Sequence, residues 1–434
     1  MKTNGFSAVF RMTLGSVFAS FYTRVSIVFS ICCIALSCSN HNADKPGSTV
    51  ITFWTFWSEP SQQTALQQIV NAFEKQNPGV TVNITALSWN DGKAKLLAAF
   101  NSGAPPDALE LGSDWVAQFS STGALMDISP ECIADTARCM SFALAPAFWG
   151  NRMYCIPWVV DTRAMFYNKG LMARAELDTV PPSTWDALNA DCEKISALRG
   201  NVYGFGANAS DAHRLYKKIL PFFWANGGDI LTSRGDSCVI NSPQNIAAME
   251  EYLRLTRCGM METQKELDAQ FARGAIGFWI SGAWLMEKIR NENPALLYGV
   301  ALMPQPSAQS GTRASFAGGE YLAVANASPQ KDAALAFIRF LADGKNAITF
   351  CRAVAEAGYP ADKNYITDSA FAMDPMRKVF TAQLQQSRMT PVIPQWLDIE
   401  KIIEDEIVEA MYGNKTAEEA LNDAQKEIED ILKQ

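Results

Sequence analysis

Residues 50–63 read VITFWTFWSEPSQQ. Val50 to Trp57 is apolar on both faces apart from Thr52 and Thr55, the composition of a parallel strand covered by helices on both sides. Ser58-Glu59-Pro60 stops it. From Gln63 to Gln76, residues Leu66, Ile69, Val70 and Phe73 recur at the spacing of an amphipathic helix, and Asn77-Pro78-Gly79 ends it. VTVNITAL then reads as a second strand, Lys93 to Asn101 as a second helix and PPDALELGS as a third strand and its loop. This alternation predicts α/β architecture with a largely parallel sheet. Ligands bind such sheets beyond the carboxyl ends of the strands. Phe53 and Trp54 therefore belong to the core, whereas Trp57-Ser58-Glu59 lie where the strand emerges. Trp57 there either lines a site or packs as a rim aromatic on the helix.

Further along, PPSTWDALNADCEKI starts a helix with Ser183 or Thr184 as cap. FARGAIGFWISGAW reads as a strand leading into a glycine turn, and YGVALMPQP and EYLAVANAS read as strands. Lys331 to Ala342 carries Ala334, Phe337, Ile338 and Leu341 on one helical face, and two closing helices are expected over Leu397–Tyr412 and Ala417–Lys433. At 434 residues the chain exceeds one ordinary core, which implies two or three compact units.

Residues 1–37 hold Lys2, Arg11 and Arg24 but no acid, and Val25–Ser37 is an unbroken apolar-to-small run behind Arg24. That run is shorter than the roughly 20 residues of a spanning helix and fits the middle of a secretory signal. It ends in Ala35-Leu36-Ser37-Cys38, similar to a bacterial lipobox in which Cys38 becomes the lipid-bearing first residue. Translation from Met12 is an alternative start. The polar segment SNHNADKPGS then serves as a tether, with the folded part starting near Thr49.

Without the three leader cations, 34 of the 37 basic residues face 45 acidic ones. No basic stripe supplies a phosphate-neutralising footprint, so nucleic acid is excluded as a partner. His41 and His213 are the two histidines, which leaves no basis for a histidine metal site or catalytic triad. No metal or cofactor is expected. Seven cysteines remain beyond the leader and the lipid-bearing Cys38; Cys132 and Cys139 bracket a short segment and either pair or stay as buried thiols.

Ten phrases in order carry a family resemblance: FEKQNPGVTVNI, KAKLLAAFNSGAPPDAL, WVAQFSSTGALMDI, YCIPWVVDTRAMFYNKGLM, PPSTWDAL, FFWANGGDIL, FARGAIGFWISGAW, YGVALMPQP, FAGGEYLAVANAS and AEAGYPA. The chain resembles the substrate-binding lipoproteins of carbohydrate ABC importers, the extracellular solute-binding family that includes maltodextrin-binding proteins. The resemblance implies a two-lobed periplasmic-binding-protein fold of type II. Residues 49–160 with 321–365 would form one lobe and 161–314 with 370–434 the other, with crossings near 158–162, 314–320 and 364–370. It further implies a monomeric, non-enzymatic receptor on the periplasmic or extracellular side, held to the membrane by Cys38, whose partners are a sugar and an ABC permease.

Carried over by position, the implied ligand-binding residues are Trp57, Ser58 and Glu59 after the first strand, Asp114 and Trp115 after the third, and Trp158 and Asp161 in PWVVD. The second lobe would add Phe222, Trp224, Ser281 and Trp284, the crossing Gly319 and Glu320, and the later segments Tyr359 and Trp396. Such residues suit a pyranose, whose C–H face stacks on an aromatic ring and whose hydroxyls pair with carboxylates in charge-assisted hydrogen bonds. Ser58 and Glu59 replace the charged pair of maltodextrin binders, so maltose specificity does not carry over. Two other readings stay open: a binder of a phosphorylated polyol such as glycerol 3-phosphate, for which Arg163, Arg377 and Arg388 are candidate cations, and a surface adhesin or structural lipoprotein. Glycosidase chemistry is disfavoured, because retaining enzymes hold two carboxyls about 5–5.5 Å apart and lobes that open cannot keep that spacing.

Overall fold

Strand β1 (Thr49–Thr55) lies parallel to both β2 (Val80–Ala86) and β3 (Ala108–Gly112). The computed structural model describes residues 48–89, 91–209 and 211–433; the expected leader, the alternative start at Met12, the expected lipidation at Cys38 and most of the expected tether lie outside them. Between β1 and β2, helix α1 (Pro60–Gln76) buries Leu66, Ile69, Val70 and Phe73, the stripe its sequence period marks. Helix α2 (Gly92–Asn101) connects β2 to β3. The two threonines that interrupt β1 meet acids from β3 and the residue preceding it. The Thr52 hydroxyl donates to Asp107 at 2.8 Å, and that of Thr55 donates to Glu110. The strand is buried on the face of Ile51, Phe53 and Thr55 and half-buried on that of Val50, Thr52 and Trp54, so Trp54 packs against the core and is not enclosed in it as expected, and both threonines are paired.

After the short helix α3 (Val116–Ser121), the chain runs up β4 (Cys155–Thr162) and, past the single residue Arg163, enters a second sheet as β5 (Ala164–Asn168). There follow α4 (Trp185–Ser196), β6 (Tyr203–Asn208), α5 (Tyr216–Ala225), α6 (Pro243–Arg257), β7 (Gly259–Glu262), α7 (Gln264–Ala272), β8 (Ile276–Ser281), α8 (Trp284–Glu292) and β9 (Tyr298–Ala301). Thr184 caps α4 by accepting the Ala187 N–H. The second sheet has the order β9-β5-β8-β6-β7. The segment FARGAIGFWISGAW divides into the end of α7, β8 and the start of α8, where the sequence pattern suggested a strand and turn. Its apolar residues are buried on both sides, and the helical period is lost.

The chain returns as β10 (Ser315–Val324), which inserts antiparallel between β3 and β4. Next come α9 (Lys331–Ala342), α10 (Gly344–Ala353), β11 (Tyr359–Pro360), α11 (Pro375–Leu384) and β12 (Ser387–Arg388). The first sheet therefore reads β11-β4-β10-β3-β1-β2, with β12 pairing onto β10. Helices α12 (Trp396–Met411) and α13 (Ala417–Leu432) pack on each other and against α6 of the second lobe. The architecture is thus two α/β lobes joined through β4–β5 and β10. Cys132 and Cys139 are both buried free thiols, as are four of the other five cysteines described.

Candidate ligand-binding site

The carboxyl end of β3, the β4–β5 crossing and the middle of β10 meet in one place. Register fixes this: Glu320 lies opposite Gly112 on β3 and Val159 on β4, and Gly318 lies opposite Asp161. Close approach needs the glycines, since a Cβ on Gly319 would stand 2.6 Å from the Val159 carbonyl and one on Gly112 2.7 Å from an Asp114 carboxylate oxygen. Asp114, Asp161 and Glu320 are thereby gathered on the face of the first lobe that meets the second.

Second-lobe groups complete this cluster. The Tyr216 hydroxyl at the start of α5 donates to Asp114 Oδ2 at 2.8 Å, so one hydrogen bond runs from the loop after β3 to a helix of the other lobe. Lys217 lies with its ammonium 5.3 Å from the Tyr216 and Phe316 ring centres. Arg163, at the crossing, pairs with Asp161 and lays its guanidinium 4.6 Å over the Trp284 ring and 5.4 Å over Phe316. Burial pushes the Glu320 carboxyl well above the usual carboxylate range, and the negative neighbours Glu110, Asp161 and Asp114 push it further. Glu320 Oε2 is buried and has no hydrogen-bond partner among the described residues. Burial depresses the amine of Lys217, while Asp114 acts the other way.

The remaining expected residues are placed as follows. Trp57 is buried, edge-on to Trp158 and to Phe350 at 6.2 and 5.2 Å. Ser58 is exposed, and Glu59 is exposed as the N-cap of α1, donating its N–H to Gln62 Oε1 at 3.1 Å. Trp115 is buried against Phe56, with Lys93 5.8 Å above its ring. Trp158 is stacked on Phe350 at 4.8 Å. Phe222 packs on Trp185 and Tyr252 inside the second lobe. Trp224 donates to Asp229 at 3.3 Å beneath the guanidinium of Arg388. Ser281 and Trp284 both donate to Asp268, each at 2.9 Å. Gly319 accepts the Ser113 N–H at 2.9 Å. Tyr359 is buried and donates to the Arg377 carbonyl at 2.8 Å. Trp396 is fully buried, 5.8 Å from the Tyr216 ring.

Among the six tryptophans of the expected set, Trp284 alone keeps part of its surface exposed. The indole N–H groups of Trp57, Trp115, Trp158 and Trp396 find no acceptor among the described residues. Sequence reasoning missed Tyr216, Lys217, Asp268 and the exposed Trp89, which stacks on Phe56 at 4.4 Å just past the end of β2. It also missed His213, whose ring bonds the fully buried Glu400 on α12. Trp89 had a legible signal, an aromatic in the loop after a strand of an α/β sheet; the others have none short of the fold.

Comparison with known proteins identifies the family. Residues 57–348 match the family described as bacterial extracellular solute-binding protein. The chain belongs to that family. It is a receptor of the ABC-transporter type and not an enzyme. Among its relatives, a putative binding protein of Brucella abortus is 27% identical over 85% of this chain and 89% of its own length. The diacetylchitobiose binding protein DasA of Streptomyces coelicolor is 25% identical over 89% of this chain and 90% of its own. The fold matches that of an ABC transporter solute-binding protein of Thermotoga lettingae, solved with alpha-D-tagatose, with a TM-score of 0.79 at 24% identity, over 89% of this receptor and 100% of that chain.

Proposed function

We propose that this receptor captures a mono- or oligosaccharide between its lobes, 49–160 with 321–365 and 161–314 with 370–434, and delivers it to an ABC permease. It works as a monomer held at the outer face of the membrane through Cys38. The observation that carries the sugar reading is the Glu320 oxygen that has no partner among the described residues, near Asp161 and Asp114, with the partly exposed Trp284 lying under Arg163, the partner of Asp161. A buried polar group left unmet costs about 1–3 kcal/mol, and a polyol offers hydroxyls to Glu320 together with C–H groups to the indole. DasA is named for binding diacetylchitobiose, and the Thermotoga protein that shares this fold was solved with tagatose.

The site disfavours a phosphorylated polyol. Arg163 is already paired with Asp161 and Arg388 with Asp229, and Arg377 donates to the Ala355 carbonyl. A phosphate would therefore face Glu320 and Asp114 with Lys217 as counter-charge. A thermal-shift screen with mono-, di- and oligosaccharides and glycerol 3-phosphate tests the reading, because a ligand that binds only the folded chain raises its melting temperature. A rise with a sugar is expected. A rise with glycerol 3-phosphate alone would replace the sugar, and no response to any of them would favour an adhesin or structural lipoprotein.

A further inference from the structure

We infer that Asp268 is the positioning residue that fixes the plane of the Trp284 indole and thereby presets the aromatic surface offered to the solute, an inference that rests on the sugar reading for the solute's class alone. Asp268 lies on α7, one strand away from the cleft, and is buried. Its Oδ1 accepts from Trp279 Nε1 at 2.7 Å, Ser281 Oγ at 2.9 Å and Gln264 Nε2 at 2.9 Å. Its Oδ2 accepts from Trp284 Nε1 at 2.9 Å. Four donors converge on this side chain, a shell that two carboxylate oxygens satisfy and an amide does not, since an amide would turn an N–H toward at least one of them.

The ring of Trp284 is held at two further points. Its benzo edge lies over Gly282, where a Cβ would come within 1.8 Å of a ring carbon, and the Arg163 guanidinium covers one face at 4.6 Å. The carboxylate is the element that fixes rotation about the Cβ–Cγ bond, because it alone binds the polar corner of the indole. A charge sequence results: Lys218 lies 4.9 Å over Trp279, Trp279 and Trp284 share Asp268, and Trp284 meets Arg163, which pairs with Asp161. The orientation of the stacking surface is thus tied to the residue pair at the crossing between lobes, and stacking on a preset ring avoids the entropy of ordering it upon binding.

The test uses the full chain with 15N-labelled tryptophan and follows the indole N–H signals, assigned through Trp279→Phe and Trp284→Phe. In Asp268→Asn the Trp284 signal is expected to shift and its hydrogen exchange to accelerate about tenfold, the effect of one lost charged hydrogen bond. Maltose, cellobiose and diacetylchitobiose are then titrated into wild type, Asp268→Asn, Trp284→Phe and the double variant. For whichever of these sugars binds, Asp268→Asn is expected to weaken affinity about tenfold in the presence of Trp284 and by less than about twofold in the Trp284→Phe background. An unmoved Trp284 signal, or an equal loss of affinity in both backgrounds, overturns the inference, since a merely structural carboxylate would act without regard to Trp284. If the signal moves in Asp268→Asn while no sugar perturbs the wild type, the sugar reading fails and the positioning role stands for another solute.

Discussion

Replacing Glu110 by Gln probes the electrostatics directly under the site. Glu110 on β3 is completely buried; one oxygen accepts the Thr55 hydroxyl and the Phe56 N–H, the latter at 3.0 Å, and the other has no partner among the described residues. Burial pushes its carboxyl from 4.5 up to about 7, with the two hydrogen bonds pulling the other way. The folded chain then binds this proton more tightly than the unfolded chain does. Stability is consequently greatest below pH 4.5 and is lost as pH rises through the window up to about 7. The displacement corresponds to about 3 kcal/mol at the usual 1.36 kcal/mol per tenfold change, a ceiling because the nearby Glu320 shares the same resistance to ionisation. Glutamine keeps an acceptor for Thr55 and Phe56 without the charge. The variant is expected to exceed wild type by roughly 1–3 kcal/mol at pH 8 and to converge with it near pH 4.5. Urea unfolding at half-unit pH steps measures both curves. Parallel curves, or a variant less stable at pH 8, would refute the reasoning.

Tyr216→Phe removes the hydrogen bond between lobes and should weaken solute binding about tenfold, since a bond to a charged acceptor contributes about 1.5–3 kcal/mol; calorimetry with a sugar from the thermal-shift screen checks this, and unchanged affinity would deny Tyr216 a part in the closed form. Trp284→Ala and Asp161→Ala should each cost at least about tenfold in affinity, and retained binding in both, with folding intact, would remove them from the site. With seven free thiols and no disulfide among the described residues, adding dithiothreitol should leave the melting temperature unchanged, whereas a fall of several degrees would reveal a bridge.

Elements whose apolar residues fall on one face were legible. Lys331 to Ala342 is a helix over the very residues expected, because Ala334, Phe337, Ile338 and Leu341 form an uninterrupted buried stripe. The cap of α4 was legible as Ser183 or Thr184, and the structure selects Thr184. The antiparallel insertion of β10 was not, since a strand buried on both faces carries no mark of its neighbours' direction. For the site, residue chemistry outran placement. Tryptophan announces a stacking surface, but nothing local tells the partly exposed Trp284 from the buried Trp158 or Trp396. Arg163 read as a free cation for a phosphate because its partner, Asp161, and the rings beneath it come together only through the crossing. Asp268 carries no mark in the sequence, because its four donors come together only through the fold.

The insertion of β10 between β3 and β4 also dictates an order of events. Both neighbours are made early, yet the slot between them stays empty until residues 315–324 arrive, after every strand of the second sheet. As the chain emerges from its amino end, the first lobe cannot complete its hydrogen-bonded ladder before the second has been made, so its earliest strands wait with open edges. Contacts so distant in sequence slow folding. Until that strand arrives, the open edges of β3 and β4 are the part of the chain most exposed to pairing with another molecule.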